Sequence, residues 1–159
     1  MSRYDWLLFL HVLSAFAVAA GVVVYTFLLA TSRNLSTPSD VLRVVRVSRV
    51  AGGLSNAGGL GVLIFGIWLA IDVDEYQLWD GWIIAAFVLW AVFGAVGGRS
   101  TKGYLAARER ARALAGQGED SPSSELKALL SAPARLTLHL ALVVVLLLFL
   151  VDMIFKPGA

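Results

Sequence analysis

The sequence contains no cysteine. That excludes disulfides, zinc–thiolate centres, iron–sulfur clusters and cysteine nucleophiles. Two methionines are too few for a soft thioether site that would hold Cu(I). Charge is also scarce. Only 15% of the 159 residues are Asp, Glu, Lys or Arg, against about 25% in an ordinary soluble domain. The formal net charge is +2, so the placement of charges says more than their sum. What the chain has in excess is apolar surface. Hydrophobic residues make up 58% of it, and the mean hydropathy is +0.78. A soluble globule of this size could not bury so much. A disordered chain and a nucleic-acid-binding domain are equally poor fits, and no nucleic-acid partner is expected. The composition predicts an all-α polytopic membrane protein with the lipid bilayer as its partner.

Crossing the hydrocarbon core takes roughly 20 apolar residues. Four uncharged stretches approach that length: Trp6–Ala30, Val50–Ile71, Gly81–Gly98 and Leu136–Val151. The last lengthens to Phe155 if Asp152 sits at the interface. Lipid cannot satisfy exposed backbone groups, so each stretch is read as a helix. The first is too long for a signal-peptide core and is read as a retained span. The prediction is one four-transmembrane-helix domain over residues 1–159. Its loops cover about 31–49, 72–80 and 99–135.

The charges orient the bundle. Eleven of the thirteen Lys and Arg residues fall in the first and third loops or at their edges, while the middle loop holds only Asp72, Asp74, Glu75 and Asp80. Lys/Arg excess marks the cytoplasmic side. Both termini are therefore expected outside, in a bacterial cytoplasmic (inner) membrane. Trp6, Trp68, Trp79 and Trp82 fall near the outer boundary, as an aromatic belt would, and Trp90 lies in mid-span. Arg43, Arg46 and Arg49, and likewise Arg108, Arg110 and Arg112, read as lipid-facing basic stretches that attract anionic headgroups.

The loops carry helix signals of their own. Thr37-Pro38-Ser39-Asp40 reads as a start, with Thr37 as N-cap, Pro38 in the first turn and Asp40 reaching back. Span two then begins outside the membrane and runs into it. Gly97-Gly98 is a candidate hinge, but good helix formers over Thr101–Ala115 continue span three until Gly116-Gln117-Gly118. Ser121-Pro122 starts a short helix and Ala132-Pro133 starts span four.

Small residues mark packing faces. Gly52, Gly59 and Gly66 recur every seven positions, Ser55 and Gly59 form a small-xxx-small pair, and Gly94 and Gly98 form GxxxG. Such residues let helices approach closely where lipid supplies no hydrophobic drive. Packing inside one bundle, a homo-oligomer face and a slot for a flat cofactor all fit that pattern.

Ionisable residues inside spans are functional candidates by default. Here they are His11 in span one and His139 in span four. Ser14, Tyr25 and Asn56 are the other notable intramembrane polar residues. His11, Ser14, Ala15, Val18, Gly21 or Val22, and Tyr25 share one helix face that should turn into the bundle. Neutral imidazole is a usual ligand of haem iron, so both histidines are candidate cofactor-binding residues for haem b. Their expected depths differ by roughly 14 Å, so a single-His site on His11 is the form that fits. The alternative is a histidine hydrogen-bonded to Ser, Asn or a carbonyl of a neighbouring helix. No metal cluster and no catalytic set emerges, since neither histidine has an acid partner in view.

The opening Tyr4-Asp5-Trp6-Leu7-Leu8-Phe9-Leu10-His11-Val12-Leu13-Ser14-Ala15-Phe16 resembles the first helix of a predicted integral membrane family, domain of unknown function 2269. The close, with His139 in span four and Phe155-Lys156-Pro157 after it, resembles that family too. The resemblance covers nearly the whole chain and implies four spans, with no assigned reaction. A looser similarity, at Leu10-His11 alone, runs to copper-resistance membrane domains and the membrane-bound protoporphyrinogen oxidase. Their aromatic-x-Gly-Gly patch is here Val18-Ala19-Ala20-Gly21. The functional expectation is a non-enzymatic structural, accessory or transport-related membrane component, with a homo-oligomer or a membrane partner protein. The alternative is a haem-binding redox protein using His11.

Overall fold

The computed structural model describes residues 2–157. Five helices follow in chain order: α1 (Arg3–Ser32), α2 (Pro38–Asp72), α3 (Gly81–Gly116), α4 (Ser124–Ser131) and α5 (Pro133–Phe155), with no strand among the described residues. α1, α2, α3 and the unit of α4 with α5 are each long and apolar enough to cross a membrane. The architecture is an all-α, four-helix membrane bundle.

Two helices exceed what a bilayer requires. α2 has 35 residues and α3 has 36, or about 52 and 54 Å at 1.5 Å per residue, against a hydrocarbon core of about 30 Å. α3 runs unbroken through Gly97-Gly98. The surplus of both helices projects at the end where Arg43, Arg46, Arg49 and Arg99–Arg112 lie, here called the basic end. The opposite end carries Asp72, Asp74, Glu75 and Asp80 and is called the acid end.

The larger buried apolar cluster lies in that projection. Val41 and Val45 of α2, Tyr104, Ala107, Ala111 and Leu114 of α3, and Leu126 and Leu130 of α4 form one buried cluster. Their spacing of three and four puts each set on one helix face, and the alanines let α2 and α4 come close. Within the spans most apolar side chains point outward instead; Phe16 and Phe27 are more than two-thirds exposed. Lipid is their solvent. A smaller cluster of Ala70, Trp82 and Ile83 closes the acid end, with Tyr76 and Met153 against it.

Local chemistry sets the helix ends. Ser2 and Asp5 form a reciprocal capping box at the start of α1. Thr37 is the N-cap of α2 and Pro38 its first residue, as the sequence implies, but Thr37 makes no side-chain cap. Its hydroxyl donates to the Asp40 carboxylate at 2.8 Å. The exposed Ser39 N–H is met from far along the chain, by the Asp120 carboxylate at 2.9 Å. α3 ends where Gly118 takes φ +76°, which brings the Glu119 N–H back to the Leu114 carbonyl. α4 begins after Ser123, whose hydroxyl accepts from the Leu126 N–H, two to three residues later than Ser121-Pro122 implied. α5 starts at Pro133 and stops at Lys156, whose φ of 41° is left-handed, before Pro157 bars any further turn.

Candidate functional site

α1 and α2 form the closest pair of helices, and glycine permits it. At Gly58 a Cβ would stand 2.7 Å from the Ser14 carbonyl oxygen and 2.9 Å from the Val18 nitrogen. Gly21 faces Ser55 and the Ala51 carbonyl, and Gly61 faces Ser14. The working seam of α2 is thus Ala51, Ser55 and Gly58. The heptad read from the sequence divides. Gly66 sits against His11 and Gly59 near Trp90, whereas a side chain at Gly52, Gly94 or Gly98 would meet nothing within 4 Å. Those three glycines make no close helix contact within this chain, because they lie off the seam. Trp90, the mid-span tryptophan, donates its indole N–H to the Gly59 carbonyl at 3.0 Å.

Towards the acid end the helices part around an apolar cavity of about 310 Å³. Leu8, His11, Gly66, Phe87, Trp90 and Phe149 are among its walls, and Tyr4, Tyr76, Trp82 and Lys156 line it as well. The Lys156 ammonium donates to the Tyr76 hydroxyl and lies 4.4 Å from the centre of the Tyr76 ring. His11 is half-buried, with Nδ1 3.1 Å from the Val62 carbonyl of α2. A carbonyl only accepts, so Nδ1 carries the hydrogen and Nε2 keeps a bare lone pair. Nε2 makes no hydrogen bond among the described residues. Absence of a side chain at Gly66 is what admits the imidazole, since a Cβ there would lie 2.9 Å from its Cε1.

A second polar group lies nearer the basic end. Tyr25 donates its hydroxyl to the Ser100 carbonyl and accepts from Ser100 Oγ, both at 3.1 Å. Its ring stacks on His139 at 5.9 Å and meets Tyr104 edge-on at 5.3 Å. The Arg135 guanidinium carbon lies 3.9 Å above the Tyr104 ring. Thr26 spends its hydroxyl hydrogen on the Val22 carbonyl at 3.0 Å, so its oxygen accepts from His139 Nε2 at 2.9 Å. His139 Nδ1 is then a bare acceptor, buried without a partner among the described residues.

The sequence model for "Predicted integral membrane protein (DUF2269)" matches residues 5–157. The chain belongs to this family. No curated protein and no solved structure matches it. Membership fixes the integral membrane class and leaves the activity to be argued from the two polar groups.

These groups do not form one centre. His139 is bonded to Thr26, fifteen residues along α1 from His11, or about 22 Å of helix. One iron cannot take both histidines. Among the described residues no three His, Cys, Asp or Glu side chains gather as a metal cluster. Ser14 closes on its own helix, donating to the Leu10 carbonyl at 2.7 Å. Asn56 is exposed on the outer face of α2. Arg43, Arg46 and Arg49 are exposed on α2, and Arg110 pairs with Glu125 of α4 at 2.6 Å. Asp152 is 5% exposed, because its helix face is the one that carries Arg135, His139, Leu142 and Val145 inward.

Sequence reasoning missed Arg135, Tyr104, Lys156 and Trp82. Arg135 counted only as one loop charge. Its position four residues before His139 was the available signal, since it puts both on one face of α5.

Proposed function

We propose that the protein is a non-enzymatic membrane component that binds a small, largely apolar guest in its acid-end cavity, with His11 Nε2 as a directional contact. One observation carries this reading. The Val62 carbonyl holds the His11 tautomer and leaves a lone pair on a residue that lines a largely apolar space. Ligand pockets have that character: mostly hydrophobic, with few placed polar groups, and about 300 Å³ or more in volume. By the Lys/Arg rule the basic end faces the cytoplasm of a bacterial cell and the cavity opens towards the outside. A reporter fused within residues 99–132 tests this, and activity on the outer side would reverse the assignment.

A second reading has its own support. Metal-ligating histidines commonly donate their other ring N–H to a carbonyl, as His11 does. Haem b held through His11 Nε2 alone is consistent with that, and Lys156 near the cavity offers a cation for an acidic edge of the ring.

The experiment takes purified protein from cells supplied with haem. Its absorption is recorded oxidised and after dithionite, and its organic extract goes to mass spectrometry. A Soret band lost in His11→Ala but kept in His139→Ala supports haem. A colourless protein carrying an apolar molecule that is lost in His11→Ala and in Gly66→Leu supports the first reading. Wild-type protein with neither pigment nor guest, or one whose load ignores both substitutions, overturns both.

A further inference from the structure

Arg135 is a cation with an unusual address. It stands in the first turn of α5, 5% exposed, and makes no ion pair among the described residues. Nη1 donates to the Leu130 carbonyl at 2.7 Å, near the C-terminal end of α4, where the helix dipole favours positive charge. The flat face rests on Tyr104. Among the described residues Nε and Nη2 have no hydrogen-bond partner. The nearby carboxylate of Glu125 is engaged with Arg110.

The unpartnered edge has a defined geometry. Nε and Nη2 share one edge of the guanidinium, the edge that grips a phosphate or carboxylate with two parallel hydrogen bonds. Both nitrogens are sealed from water, but a groove of about 450 Å³ runs beside them. Gly103 lines the groove beside the Arg135 stem, where a Cβ would sit in ordinary contact, 3.6 Å from Cδ and 3.7 Å from Nε. Arg99, Ser100 and Glu125 line the groove too, the Glu125 carboxylate neutralised by Arg110, and Ala134 and Leu138 give it an apolar side.

We infer that the basic end holds an oxyanion site, in which the Nε–Nη2 edge of Arg135 binds one phosphate group entering past Gly103. Leaving a guanidinium buried and unpaired is costly. A phosphate pairs it, and a small turn of the long side chain towards the groove brings the edge to the ligand. Arg99 adds a second positive charge at the same groove. The phosphate comes either from an anionic phospholipid headgroup, whose acyl chains would follow Ala134 and Leu138, or from a free anion. This site is independent of the acid-end cavity.

The test uses the full chain in neutral detergent and reads thermal unfolding, with bound lipid counted by native mass spectrometry. One arm adds phosphatidylglycerol, with phosphatidylcholine as reference. The other adds inorganic phosphate, with chloride at equal ionic strength as reference. Stabilisation of the wild type by phosphatidylglycerol alone assigns the phosphate to lipid, and stabilisation by inorganic phosphate assigns it to a free anion. In either case Arg135→Gln should weaken the response by roughly tenfold in apparent affinity, and Arg33→Gln, exposed at the end of α1 and away from the groove, should leave it intact. If Arg135→Gln does not fold, Gly103→Leu fills the groove with the arginine kept, and should give the same loss. No response in the wild type, or the same response in Arg135→Gln or Gly103→Leu, overturns the inference.

Discussion

The two ends of this bundle solve opposite problems. At the basic end α2, α3 and α4 stand clear of the expected bilayer and bury a continuous apolar cluster, with Val41, Ala107, Ala111, Leu126 and Leu130 fully enclosed. At the acid end the helices lie within the apolar spans, yet they leave a cavity of about 310 Å³. The most hydrophobic part of the chain is thus the less densely packed. Water drives apolar side chains together only where water is present. Inside lipid, association rests on close backbone contact, hydrogen bonds and packing, so it is tight where α1 meets α2 at glycine and slack elsewhere. A membrane protein of this kind can keep an open cavity in its spans because its compact core is elsewhere.

The sharpest way to break this comparison is to truncate a leucine at each end. Leu126→Ala removes a side chain with no exposed surface and should destabilise the protein by about 2–5 kcal/mol. Leu8→Ala, on the cavity wall and 40% exposed, should cost less than about 1 kcal/mol. Unfolding in detergent measures both, and equal losses would mean that the ends are packed alike.

A smaller effect separates the glycines. Gly58→Ala drives a methyl into the α1 backbone and should cost about 1–3 kcal/mol. Gly52→Ala meets open space and should stabilise α2 by up to about 1 kcal/mol, through helix propensity alone. Destabilisation by Gly52→Ala would reveal a helix partner from another chain at that position.

The smallest contrast lies in the tethers. Asp120→Ala frees the Ser39 N–H at the start of α2 and should cost about 1 kcal/mol, seen as faster amide exchange in the first turn. Arg3→Gln breaks the ion pair with Asp72 at the acid end, but Arg3 is largely solvent-exposed, so the loss should stay below about 1 kcal/mol. A larger loss in Arg3→Gln than in Asp120→Ala would reverse the ranking of the two ends.

Much of the architecture was legible in the chain. Uncharged stretches of the required length became helices because lipid leaves the backbone no other way to satisfy itself. Pro38 and Pro133 begin helices, and Gly118 ends one, through backbone geometry that needs no tertiary partner. The site was less legible. His11 stood out as a rare ionisable group in a span, but its tautomer depends on Val62, fifty-one residues away. Arg135 looked like one loop charge among many. Only the packing of α3 and α4 around it turned it into a buried guanidinium with a free edge.

The sequence by itself determined the solvent, the number of spans and the clustering of basic charge, since these follow from composition, length and the cost of putting charge or bare backbone into lipid. Tertiary structure alone decided which glycines touch, which polar groups lose water, and which partners each histidine finds. Those outcomes depend on distances between residues remote in the chain, and neither composition nor periodicity fixes which faces of four apolar helices come together.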